Sequence, residues 1–146
     1  MIARIKDLIE LRRRLQQTLK RETDFQPAKM SISKLDKEFL RDLQAVIEKN
    51  LSEPQFNVEE MRKQLYMSGA TLYRKVLALS GETPTDFLRS YRLKRAAQLL
   101  KSGFGSITEV AFEVGFNSRT YFTKCFKEKF NQLPSEFQET ARELKL

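Results

Sequence analysis

The chain of 146 residues has no histidine and no tryptophan, a single cysteine, four prolines and five glycines. Without histidine it lacks the commonest general base and the commonest metal ligand. Cys125 alone makes neither an internal disulfide nor a cysteine-rich zinc site. No apolar run approaches the ~18 residues that a membrane-spanning helix requires. The opening residues, MIARIKDLIELRRR, have no uninterrupted apolar stretch and no small-residue cleavage site, so they do not read as a secretory signal. No catalytic residue, cofactor or metal is therefore expected, and a soluble chain of a reducing compartment is. No segment sustains the period-two alternation of a strand, so the chain reads as all-α.

What is present is positive charge. The formal net charge is +8, from 27 Lys and Arg against 19 Asp and Glu. Residues 1–34 carry nine basic and four acidic side chains, whereas residues 35–146 carry 18 and 15. In the larger part the basic residues gather at 74–101 and 119–129, while Asp36, Glu38, Asp42 and Glu48 stand apart from them. Segregation of this kind predicts one basic face, for which an acidic partner is expected and nucleic acid is the first guess.

Helical periodicity runs through most of the chain. Residues 2–21 place Ile2, Ile5, Leu8, Ile9, Leu15 and Leu19 along one stripe, an amphipathic helix with a basic outer face. Residues 22–34 lose that period and contain Pro27, which predicts a linker. A helix is expected from about Asp36 to Asn50, with Phe39, Leu40, Leu43, Val46 and Ile47 on its apolar side.

An internal repeat is the most informative feature. Sliding the chain by 49 residues aligns NVEEMRKQLYMSGATLYRKVL (57–77) with SITEVAFEVGFNSRTYFTKCF (106–126). In that alignment Leu72 meets Tyr121 and Tyr73 meets Phe122, and a one-residue slip falls later, where Gly81–Phe87 pairs with Asn131–Phe137. Asn57 with Glu60, and Ser106 with Glu109, have the spacing of a capping box, so each begins a helix. Each first helix stops near Tyr66 or Gly115, and a second follows near 69–79 or 118–130. Helix, tight turn, helix is a helix-turn-helix. Ala111 allows close approach of the two helices in the second copy, and Phe122, Phe126 and Phe130 must face a core. In the first copy the corresponding turn positions are Arg62, which must snorkel, and Tyr66, for which a strained backbone is expected. Between the copies, Thr83-Pro84-Thr85-Asp86 starts a helix that runs to about Lys101 and spans roughly 27 Å, near the ~34 Å of one duplex turn.

At these residues the chain resembles the AraC/XylS-type DNA-binding domain of bacterial transcription factors. The likeness covers about residues 36–140 and is strongest over RLKRAAQLLKSGFGSITEVAFEVGFNSRTYFTKCFKEKFNQLP (92–134). The resemblance implies two helix-turn-helix subdomains joined by a long linker helix, roughly seven helices in all, preceded by the amphipathic helix. Domain boundaries are expected at 1–34 for the basic helix and linker and 35–146 for the DNA-binding domain.

It also implies that Ala70, Tyr73 and Arg74, with Gly69 beside them, read bases from the first recognition helix. From the second, Asn117, Arg119, Thr120, Thr123 and Lys124 do so. The chemistry agrees: Arg and Lys bond guanine, Asn pairs with adenine, and a Thr methyl meets the thymine methyl. Backbone contacts are expected from Ser68, Lys75, Arg92, Ser118 and Tyr121. The implied partners are double-stranded promoter or operator DNA and RNA polymerase, with dimerisation through upstream segments and no membrane contact from this chain. A bacterial, cytoplasmic transcription activator is the expected whole.

MIARIKDLIELRRRLQQ further resembles the last helix of a phosphoacceptor receiver domain, which implies the output module of a hybrid two-component regulator. Two alternatives stand beside this reading: a stand-alone regulator of the same type, and a basic helical adaptor that docks the transcription machinery.

Overall fold

The computed structural model describes residues 27–144, with side chains from residue 34. The helix expected at 2–21 lies outside the described residues. Among those residues there are seven helices and no strand: α1 Pro27–Asn50, α2 Val58–Gln64, α3 Gly69–Ser80, α4 Pro84–Ser102, α5 Ile107–Glu113, α6 Arg119–Phe130 and α7 Pro134–Leu144.

One boundary departs from expectation. The linker reading of 22–34 fails from residue 27 onward, because α1 already begins at Pro27. Proline interrupts a helix only inside it. At the first helical position its missing N–H has no partner to lose and its fixed φ already suits the helix. Residues 28–34, AKMSISK, contain no glycine or second proline to stop what Pro27 starts.

The described residues form two compact units. The first comprises 27–49 and 57–87, and the second 50–56 and 88–144. In the first, Phe39, Leu40, Leu43 and Ile47 of α1 are buried, as are Met61 of α2 and Leu72 and Val76 of α3. Ser80 is buried too, with its hydroxyl donating to Val76 O at 2.6 Å and accepting from Glu82 N at 3.0 Å. Gly81, at φ 76°, then closes α3.

In the second unit the buried residues include Leu93, Ala96 and Leu100 of α4, Val110 and Ala111 of α5, and Phe122 and Phe126 of α6. Rings run through this core: Phe116–Phe122 at 5.2 Å, Phe122–Phe126 at 5.7 Å and Phe126–Phe137 at 5.5 Å between centroids. The last pair ties α6 to α7, and such pairs each add about 0.5–1.5 kcal/mol beyond their burial. The phenylalanines spaced four apart therefore serve the core.

Candidate nucleic-acid interface

The second helices of the two helix-turn-helix units, α3 and α6, are built by the same local rules. Ser68 and Ser118 are N-caps in extended backbone, and their hydroxyls accept from Thr71 N at 3.1 Å and Tyr121 N at 3.2 Å. Each helix is 12 residues long, and each ends on a left-handed C-cap, Gly81 or Asn131. These landmarks correct the repeat alignment. The first helices correspond with an offset of 49, Asn57 to Ser106, but the second helices correspond with an offset of 50, Ser68 to Ser118. The extra residue is thus in the second turn, not after the second helix. Leu72 pairs with Phe122, both with no exposure, while Tyr73 pairs with Thr123 and Arg74 with Lys124. The caps and the burial reveal this together, whereas Leu72 and Tyr121 are both apolar enough to look equivalent in sequence.

The two turns share one hydrogen-bond pattern. After α2, Tyr66 N donates to Lys63 O and Met67 N to Arg62 O, each at 3.1 Å. After α5, Gly115 N donates to Phe112 O at 3.0 Å and Phe116 N to Ala111 O at 2.9 Å. This is a Schellman closure, which needs left-handed backbone at Tyr66 (φ 55°) and Gly115 (φ 90°). A Cβ on Gly115 would collide with the Arg92 guanidinium and the Leu51 carbonyl, so glycine is needed there twice over. Tyr66 keeps its Cβ because its side chain is 96% exposed.

Arg92 does not do what was expected of it. The resemblance implies a DNA-backbone contact, but Arg92 is buried in the second unit. Its Nη1 donates to Val114 O at 3.3 Å, and its Nη2 to Glu53 O at 3.1 Å and Phe56 O at 3.2 Å. Val114 is the C-cap of α5, whose carbonyl lacks a helical partner. Burial lowers the pKa of Arg92 below the usual arginine value, and the carbonyls compensate for the lost water. Arg92 is a bolt under the turn; its sequence context in a basic helix had hidden that.

The other candidates are at the surface. On α6, Phe122, Cys125, Phe126 and Lys129 are buried, and Arg119, Thr120 and Lys124 are exposed with Thr123 half-buried. Asn117 is exposed just ahead of the helix. Arg119 Nη1 donates to Thr108 Oγ1 at 3.0 Å. Tyr121 is half-exposed, and a hydrogen bond with the Cys125 thiol, assisted by burial, raises its phenol above the ordinary value while Arg89 works against this. On α3, Ala70, Tyr73 and Arg74 are exposed and Ser68 stands at the helix start. Lys75 is on the far flank of α3 from Ala70 and Tyr73, with its ammonium 5.1 Å above the Phe39 ring. Sequence reasoning missed Thr108 and Arg89, since neither is near its partner along the chain.

The helix-turn-helix domain family matches residues 61–140. A histidine kinase, P4, of Formosa agariphila is 38% identical over 135 residues, which cover 92% of this chain and 10% of that protein. The transcriptional regulator MtrA of Neisseria gonorrhoeae is 36% identical over 103 residues, 70% of this chain and 34% of the regulator. The chain thus spans about a third or less of these curated relatives. Among solved structures, the C-terminal domain of AraT, a response regulator from Geobacillus stearothermophilus, aligns with a TM-score of 0.62 at 28% identity, covering 68% of this chain and 82% of that one. The DNA-binding domain of the global transcriptional factor AdpA, solved in complex with a target DNA, aligns with a TM-score of 0.62 at 30% identity, covering 70% and 94%.

Proposed function

Because this chain belongs to the AraC-type helix-turn-helix domain family, we propose that it is a sequence-specific double-stranded DNA-binding transcription regulator and no enzyme. The observation that carries the reading is the division of α6: a buried aromatic side, and an outer side bearing Arg119, Thr120, Thr123 and Lys124. Those side chains offer guanine-directed forks and thymine-directed methyls on an element that fits a major groove. On α3, Tyr73, Arg74 and Ala70 take the same role, and Asn117 joins the α6 set. Ser68, Ser118, Tyr121 and Lys75 contact phosphates. Duplex DNA suits this reading better than A-form RNA, whose deep major groove admits no helix.

Each unit presents one reading helix, and we propose that the two enter successive major grooves. The wider assignment is a bacterial cytoplasmic activator that contacts RNA polymerase, dimerises through upstream segments and forms the output module of a phosphorelay protein. The kinase relative and the response-regulator neighbour support the phosphorelay part of that assignment.

Selection of bound duplexes from a random pool tests the reading. Two half-sites about one helical turn apart are expected, with log affinity falling by about 0.9 per log salt for each phosphate contacted. Equal binding to all sequences, or an affinity indifferent to salt, overturns it.

A further inference from the structure

We propose that Thr108 determines specificity by positioning Arg119, an inference that rests on the reading of α6 as a DNA-reading helix. Thr108 belongs to α5, outside the reading helix, and its hydroxyl accepts from Arg119 Nη1 at 3.0 Å across the turn. Arg119 is the first residue of α6 and is exposed, so nothing in its surface position alone would hold its long side chain still. The bond ties one corner of the guanidinium. Of its five N–H donors, Thr108 engages one on Nη1, which leaves the edge formed by Nε and Nη2. That edge has the fork geometry that pairs with guanine O6 and N7. Thr108 is itself β-branched on a helix, so its hydroxyl has few rotamers to sample. A guanidinium held in advance loses less freedom on binding and presents its fork at one angle.

The first unit supplies the contrast. With the offset of 49 that relates α2 to α5, Glu59 stands where Thr108 does. Glu59 also holds an arginine, Arg62, whose Nε donates to it at 2.9 Å, but that pair stays within α2. The residue corresponding to Arg119 is Gly69, which has no side chain to hold. The same helix position therefore anchors an arginine in both units, and only in the second is that arginine on a reading helix.

The test uses the full chain, the duplex recovered by selection and its single-base variants. Arg119→Ala identifies the base pair read by Arg119, with about a tenfold or greater loss of preference there. Thr108→Val should lower preference at that same base pair by about three- to tenfold, the size expected for losing one ordinary hydrogen bond at an exposed site. Thr108→Ser should restore it, and the Arg119→Ala, Thr108→Val double variant should be no worse than Arg119→Ala. A second readout needs no DNA: the Nε–H order parameter of Arg119 by NMR should fall in Thr108→Val and recover in Thr108→Ser. An unchanged order parameter, losses that add in the double variant, or a loss spread equally over all base pairs overturns the proposal. If the wild-type chain prefers no duplex while the order parameter still responds, the DNA-reading assignment and the specificity role fall together, and the restraint of Arg119 is shown to serve another end.

Discussion

The two helix-turn-helix turns close with the same pair of backbone hydrogen bonds and differ in what stands beneath them. Under Gly115 the guanidinium of Arg92 fills the space a Cβ would need, and it satisfies carbonyls of Val114, Glu53 and Phe56. At Tyr66 a full side chain is carried on left-handed backbone and turned out to water. The helix starts differ in the same sense. Ser106 and Glu109 form a reciprocal capping box, with bonds of 3.1 and 3.2 Å, whereas Asn57 accepts from Glu60 N at 3.0 Å while the Glu60 carboxylate lies 3.7 Å from Lys63. One design can thus be met tightly or loosely, because the backbone pattern constrains φ while the side chains around it set how much a violation costs.

The contrast is most exposed at the turns themselves. Gly115→Ala should destabilise the second unit by about 2–4 kcal/mol, combining a disfavoured φ with a collision against a buried guanidinium. Urea unfolding monitored by amide signals of that unit measures it; a loss below that range means the core gives way more easily than its packing implies. Arg92→Met should cost about 2–3 kcal/mol by leaving buried carbonyls without a donor. The same variant should leave the salt slope of duplex binding unchanged, because Arg92 touches no phosphate. A slope shallower by one contact would reinstate it at the interface.

Two smaller effects sharpen the difference between the units. Arg119→Ala and Arg74→Ala should each cost about 1–3 kcal/mol of binding to the selected duplex and relax one base preference apiece. Equilibrium titration against single-base variants separates them, and a uniform loss across sequences reassigns that residue to the phosphate backbone. Tyr66→Gly should move stability the other way, raising it by about 1 kcal/mol through relief of left-handed strain. Thermal unfolding checks the sign. A decrease would mean that the tyrosine ring, despite its exposure, contributes contacts that outweigh its backbone cost.

Much of this was readable before any coordinates. Asn57 and Ser106 announce helix starts by their spacing to Glu60 and Glu109, and Gly115 marks a left-handed closure that only glycine adopts freely. The phenylalanines at 122 and 126 declare a buried face by spacing alone. The register of the repeat was harder, since sliding by 49 keeps apolar on apolar and conceals a residue added in the second turn. The start of α1 was misread because a proline has opposite meanings at the first position of a helix and within one.

By itself, then, the amino-acid order determined most helix boundaries and the turn chemistry of the duplicated unit. Each of those depends on neighbours within about one helical turn, where backbone geometry is short-ranged and rule-bound. The tertiary structure alone decided that Arg92 is a buried bolt, that Thr108 holds Arg119, and that Leu72 corresponds to Phe122. Those depend on which groups lose their water and meet across 11 to 39 residues of chain. A guanidinium's role follows from whether carbonyls or solvent surround it, and that is a property of packing.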